Sequence, residues 1–196
     1  MPDLLKGIDV YHGDGLIDYR RAVSGGVAFV FAKASESSEN TDPMYHQNRC
    51  GARKAQIEFG AYHFFDADAD PIRQADHFLH AAQPADGDLL PVLDIETAGV
   101  FGGRNARICA DRIKTCSGRN PIIYSGRAFF QQYLQAHFSG FTLWIAHYGV
   151  EEPGIACAFW QRTENAREPG TPHPLDGDVF FGSRDDLREY QWGPHR

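Results

Sequence analysis

No apolar run in this chain is long enough to cross a bilayer. The longest, VAFVFA at 27–32, falls far short of the ~20 residues a membrane helix needs. The N-terminus, MPDLLKGIDV, shows no cationic stretch followed by an apolar core, so no export signal is visible. Basic clusters are equally scarce: 19 Lys and Arg stand against 26 Asp and Glu, giving a formal net charge of -7. A polyanion would find no electrostatic footprint, and neither nucleic acid nor membrane is expected as a partner. Only four cysteines occur, Cys50, Cys109, Cys116 and Cys157, without C-x-x-C spacing or an H-x-x-x-H partner, so no metal is expected. If NARICADRIKTC is helical, Cys109 and Cys116 lie two turns apart, ~10 Å, beyond the reach of a disulfide. Free, mostly buried thiols are the expectation. The GDG and GG pairs lack the G-x-G-x-x-G or G-K-[ST] context, so no nucleotide cofactor is expected either.

What is present suits one core. The 196 residues are 42% hydrophobic and 13% aromatic, which reads as a single domain over 1–196. Eight short β-rich runs recur: GIDVYH (7–12), VAFVFAKAS (27–35), FGAYHFF (59–65), LLPVLDIE (89–96), NPIIYSG (120–126), FTLWIAHY (141–148), AFWQRT (158–163) and DGDVFFG (176–182). Helical patterns separate most of the first six, over 43–57, 71–83, 105–117 and 127–138, with Asp42, Asp70 and Asn105 as N-caps or first-turn residues. Strand then helix, repeated, predicts a parallel sheet, and eight strands favour a closed barrel. The last two intervals, GVEEPGIAC and ENAREPGTPHPL, carry no amphipathic period. The fold class is therefore α/β: an irregular (β/α) barrel of eight strands and fewer than eight helices, its site at the C-terminal ends of the strands. DADAD at 66–70 is not a calcium loop, because Pro71 stands where the sharp turn needs Gly; Asp70 should instead cap the helix beginning there.

The fourth run, LLPVLDIE, ends in two acids separated by one residue. In an extended chain positions i and i+2 point the same way, so Asp94 and Glu96 should be neighbours, with Leu93 and Ile95 facing the other layer. Such a pair is either a strand end turned into water or a general acid with a partner, since like charges in a desolvated place raise the proton affinity of one of them. Other strands end in chemistry too: Asp9 and Tyr11 on the first, Lys33, Ser35 and Glu36 on the second, Tyr62, His63 and Phe64 on the third. Tyr124, Trp144, Tyr148 and Gln161 end the next three, and Asp176 and Asp178 lie at the last. A rim of carboxylates and aromatic faces suits a sugar polymer. His63 reads as a hydrogen-bonded wall residue rather than a metal ligand.

In order, from about residue 7 to about 183, GIDVYHGDGLIDYRRAVSGGVAFVFAKASES, TDPMYHQN, GAYHFF, LPVLDIE, PIIYSG, LWIAHY, FWQ and LDGDVFFGS resemble glycoside hydrolase family 25, the lysozymes (N-acetylmuramidases) of bacterial cell walls. The resemblance implies an irregular barrel with missing helices and cleavage of the β-1,4 bond between N-acetylmuramic acid and N-acetylglucosamine in peptidoglycan. It makes Glu96 the acid and Asp94 its partner, with Asp9 and Asp176 completing the carboxylate cluster. Tyr62, Phe64, Tyr124, Trp144, Tyr148 and Gln161 become the expected sugar contacts, and the protein a monomer without cofactors. Three positions depart from the pattern. Tyr11 stands where the family often has Ser, Ser37 where it has Gly, and LDGDV where it reads vDln, so that Asp178 remains the alternative to Asp176. Two other readings stay open: a non-catalytic glycan-binding barrel, and a metal-dependent barrel hydrolase using the same acids with His63. Without a visible leader, the protein would reach cell walls by lysis or by non-classical export.

Overall fold

A computed structural model describes residues 4–97, 99–100 and 103–193. Eight strands close a barrel: β1 (Leu4–Val10), β2 (Val27–Glu36), β4 (Glu58–Phe64), β5 (Val92–Asp94), β6 (Ile122–Gly126), β7 (Leu143–Ala146), β8 (Phe159–Ala166) and β9 (Leu175–Phe181). A further two-residue strand, β3 (Asn40–Thr41), folds back on the end of β2 outside the ring. The ring runs β1-β2-β4-β5-β6-β7-β8-β9 and returns to β1. Each of the eight apolar runs in the sequence became one of its strands.

The direction of the last strand departs from the expected parallel sheet. Around the ring β1, β2 and β4 through β8 pair in parallel, but β9 is antiparallel to both β8 and β1. The cause is the connection. A parallel return needs a crossover of a dozen or more residues, usually a helix, whereas residues 167–174, REPGTPHP, form no helix and only turn the chain around. Six α-helices are seen among the described residues, α1 (Tyr19–Ser24), α2 (Tyr45–Ala55), α3 (Pro71–Ala82), α4 (Gly103–Ser117), α5 (Arg127–Phe129) and α6 (Arg184–Arg188). The single helix expected over 127–138 is instead α5 followed by a π-helical turn at Phe130–Leu134. Two other short helices, α1 and α6, carry too few residues for a period to show. None of these helices is long and apolar enough to cross a membrane.

Two apolar layers follow from strand alternation. Outward residues such as Ile8, Val30, Ala32, Leu93, Ile95 and Ile123 meet the helices, packing on Ala75, Phe78, Cys109 and Ile113. Inward residues fill the barrel with rings: Phe29, Phe31, Tyr62, Tyr124, Trp144, Phe159 and Phe180. Phe31 stacks on Trp144 with centroids 4.8 Å apart, and Phe159 contacts Phe29 edge-on at 5.5 Å. Room for these rings comes from two inward glycines. A Cβ on Gly7 would lie 2.2 Å from the Phe29 ring, and one on Gly60 would lie 2.4 Å from that of Phe31. Helix starts follow local chemistry as well: Asp70 accepts from the N–H groups of Ile72 and Arg73 ahead of Pro71, as the DADAD tract implied. Asp42 instead closes a turn onto Met44 N–H, with α2 beginning at Tyr45. All four thiols are free, but only Cys109 is buried; Cys116 is exposed, which corrects the expectation of mostly buried cysteines.

Because Phe29 is itself held by Phe31 and Phe159, its ring cannot yield to a new methyl group. Overpacking of this kind costs about 1–3 kcal/mol. Gly7→Ala should therefore lower unfolding stability by that amount in denaturant titration, and an unchanged midpoint would show that the barrel interior has slack there.

Candidate active site

The Asp94–Glu96 segment is pinned from both sides by backbone. Phe65 N–H donates to the Asp94 carbonyl at 2.9 Å, Ile95 N–H donates to the Tyr124 carbonyl at 3.0 Å, and the Ser125 hydroxyl donates to the Ile95 carbonyl at 2.8 Å. With Leu93 and Ile95 fully buried among the helices, alternation sends Asp94 and Glu96 inward together. They open onto a pocket of about 580 Å³ at the mouth of the barrel.

All ten residues expected from the sequence line this one pocket: Asp9, Tyr62, Phe64, Asp94, Glu96, Tyr124, Trp144, Tyr148, Gln161 and Asp176. Asp176 reaches the rim because β9 is reversed. It is in register with Asp9 across the β1–β9 pair, near the start of its strand rather than the end. Asp178 sits deeper, opposite Gly7 and Gln161, only 1% exposed, and accepts from Trp144 Nε1 at 2.9 Å. Gln161 ties the floor together. Its Oε1 accepts from the hydroxyls of Tyr124 and Tyr148, at 2.7 and 2.5 Å, and its Nε2 donates to Asp9 Oδ2 at 2.7 Å. Trp144 is buried with Phe31 on one face, so it forms floor more than platform, while Tyr148 and Tyr11 stand exposed.

Other pocket residues escaped the sequence reading of the site. Asp14 comes from a 3-10 turn after β1, Glu164 and Asn165 from the far end of β8, and His173, Pro174 and Leu175 from the turn into β9. Only the reversal of β9 brings the last three here, and no local pattern announces that. Lys33, noted at the end of β2, is the one lysine or arginine lining the pocket; it is paired with Glu36 at 2.6 Å and lies over the Phe64 ring at 4.7 Å. Ser37 explains its own oddity. Its φ of 52° is the left-handed conformation that glycine tolerates best, and its hydroxyl donates to Asp66 Oδ2 at 2.9 Å.

Crowding of acids in a partly dry mouth raises their proton affinities. Burial pushes Asp94 well above the ordinary carboxylate range, with the nearby Glu96 charge adding to the effect. Its Oδ1 is buried without a hydrogen-bond partner. Glu96 is more exposed; surrounding protein raises it and Lys33 draws it back. Burial thus favours the neutral form of both carboxyls. Asp9 and Asp178 are also raised, first by burial, and Asp176 is pushed up to about 6 by burial and by Asp14. His63 faces away from the pocket, between Ser35 Oγ at 2.9 Å and Gln74 Oε1 at 3.3 Å, and burial lowers it to about 4. It cannot join Asp94 and Glu96 around a metal ion. Among the described residues no cluster of three metal-ligating side chains occurs.

Comparison with known proteins then decides the family. The chain matches the sequence profile of glycosyl hydrolases family 25 over residues 8–171. It belongs to that family. YegX of Escherichia coli strain K12 is 31% identical to it over 95% of this chain and 73% of that protein. The autolytic lysozyme of Clostridium acetobutylicum is 31% identical over 90% of this chain and 56% of that longer protein. A bacterial lysozyme from Streptomyces coelicolor superposes with a TM-score of 0.89 at 27% identity, covering 95% of this chain and 96% of the other. This family 25 chain is thus a glycoside hydrolase, and its mixed barrel is the fold of those lysozymes. The reading as a non-catalytic binding barrel falls with that membership. The profile match ends at residue 171, before Asp176, whose place in the pocket rests on the β1–β9 register.

The floor acids make stability depend on pH. A carboxyl whose proton affinity is raised by folding contributes stability that is complete below its unfolded pKa, about 4, and is lost as pH rises through the folded value. Asp178→Asn removes one such group while keeping an acceptor for Trp144. A tenfold change in proton affinity is worth about 1.4 kcal/mol. The variant should match wild type near pH 4 and become increasingly more stable than it as pH rises towards 8. Thermal melts that stay parallel for the two proteins across this range would contradict the assignment.

Proposed function

We propose that this chain is an N-acetylmuramidase acting as one catalytic domain over 1–196, and that it cleaves the β-1,4 bond between N-acetylmuramic acid and N-acetylglucosamine in peptidoglycan by a substrate-assisted route. The lysozyme names of its relatives point to the polymer, and the arrangement of Asp94 supports the route. A buried carboxyl oxygen without a donor is the group in the pocket that gains most from an incoming N–H. Asp94 ends β5 and Glu96 follows two residues on, on the same side, with Cα atoms about 6–7 Å apart if the chain stays extended. A protein nucleophile would have to face the acid across the sugar, with carboxyls about 5 Å apart. Glu96 therefore protonates the leaving oxygen, Asp94 accepts the 2-acetamido N–H, and the acetamido oxygen attacks the anomeric carbon. Water, deprotonated by the Glu96 carboxylate, then opens the cyclic intermediate and restores the β configuration.

Substrate itself can set the order of protons that this sequence of events needs. An N–H donated to Asp94 stabilises its charged form, so binding the acetamido group would favour an ionised Asp94 beside a protonated Glu96. The acid is then armed by substrate. Asp9 and Asp176, across the mouth, hold and orient the sugar rather than transfer protons, and Gln161, Tyr62, Phe64, Tyr124, Trp144 and Tyr148 shape the groove around it. One chain supplies every lining residue, so a monomer is sufficient.

Glu96→Gln should abolish wall lysis while leaving fold and glycan binding intact, since losing general acid help costs about 10²- to 10⁴-fold in rate. Lysis at wild-type rate would sink the assignment. De-N-acetylated peptidoglycan should bind but resist cleavage, and the first product should be the β-anomer; a first-formed α-anomer seen by NMR would remove the route while leaving the hydrolase in place. Because both members of the pair hold protons above the ordinary carboxylate range, activity should peak in mildly acidic solution and fall as pH rises through the upper titration of the pair. A rate still climbing above about pH 8 would be incompatible with that.

A further inference from the structure

Beyond Glu96 the pocket continues into a second cleft of about 470 Å³, which shares Glu96, Tyr124 and Tyr148 with the first and runs over Arg127 and Phe129. The two halves differ in charge. The first is lined by Asp9, Asp14, Asp94, Glu96, Glu164 and Asp176 against Lys33. In the second, Glu96 is the only acid, and Arg127 provides the positive charge. Arg127 opens α5 directly after β6, half-buried, with its Nε close to where a Cβ on Gly154 would sit, 3.0 Å away. Its Nε is buried without a hydrogen-bond partner, and none of the ion pairs among the described residues involves it.

A guanidinium with a buried, unserved N–H beside an open cleft is suited to one ligand group above others, a carboxylate taken on its planar fork. The repeating sugars of peptidoglycan are neutral. Their charge sits on the 3-O-lactyl substituent of the muramoyl residue, either as the free lactyl carboxylate or on the peptide built upon it. We propose that the Arg127 cleft is a subsite for that carboxylate, so that the anionic substituent lies on the Arg127 side of Glu96 and the neutral sugar ring on the acidic side. This rests on the muramidase reading and adds to it a polarity and a selectivity for charged over neutral N-acetylhexosamine chains.

The test is binding, measured by calorimetry in the Glu96→Gln background with and without Arg127→Ala. Three tetrasaccharides of alternating N-acetylglucosamine and N-acetylmuramic acid serve as probes: one with free lactyl carboxylates, one carrying short peptide stems, and one with the lactyl groups capped as neutral methylamides. Losing Arg127 should weaken binding of a carboxylate-bearing probe about tenfold, as for a charged hydrogen bond partly screened by solvent, and leave the capped probe unchanged. Arg127→Lys should recover part of the loss, and added salt should shrink it. Loss on the free acid alone assigns the lactyl carboxylate, and loss on the stem-bearing probe alone assigns the peptide. Equal changes for all three probes, or none for any, would overturn the proposal. Turnover of the same probes by the wild-type enzyme tests the muramidase reading separately, because failure to cleave leaves the binding comparison standing.

Discussion

β9 enters the barrel at its mouth, and the acidic pocket depends on that reversal. Had the strand run parallel to its neighbours, Asp176 would lie at the closed end, and the turn bearing His173, Pro174 and Leu175 would leave the pocket. Antiparallel pairing instead sets Asp176 against Asp9 and Asp178 against Gln161 in adjacent registers. Each strand contributes inward residues at alternate positions only, so one reversed strand determines which acids share the floor. The short Gly- and Pro-rich link after β8 permits no other direction.

That floor carries electrostatic cost in a particular order. The deepest carboxyls, Asp9, Asp94 and Asp178, are the ones that burial raises most strongly, whereas Glu96 and Asp176, nearer solvent, are raised less. Proton affinity thus grades from the lip inward. The fixed donors are placed deep: Gln161 serves Asp9 and Trp144 serves Asp178 Oδ1, while Asp94 Oδ1 and Asp178 Oδ2 are left without one. Of these two unserved oxygens, that of Asp94 belongs to a residue lining the pocket, where a ligand can supply the donor.

Much of this was legible before any coordinates. The eight strands showed as short β-rich runs because a closed barrel buries both faces of each strand and needs apolar residues throughout. The D-x-E face followed from period-2 geometry alone. Three things were not legible. Strand direction depends on whether a connection is helical, and the missing period in ENAREPGTPHPL pointed to fewer helices without showing that β9 turns back. The continuous pattern over 127–138 concealed a switch to π-helical bonding at Phe130, which periodicity cannot resolve. The depth of each acid is the third, because sequence carries no depth coordinate: Asp94 and Glu96 look equivalent on paper but differ sharply in exposure.

An acidic pocket for a polymer that itself bears carboxylates poses an apparent conflict, since like charges in a mouth of low dielectric repel. The raised proton affinities resolve part of it, because several of these acids stay neutral in mildly acidic solution. Geometry resolves the rest. The neutral N-acetylhexosamine ring is the only portion of such a polymer that the carboxyl cluster need contact, and its hydroxyl and amide hydrogens are donors that acids accept. Any charged substituent must leave the pocket on a side where the field changes sign. Past Glu96 it does so within one residue of the end of β6, where Gly126 gives way to Arg127. Glu96 therefore stands at the boundary between an acceptor-rich half and a cationic half, and a substrate whose charge lies beside its scissile bond can satisfy both at once only in one orientation.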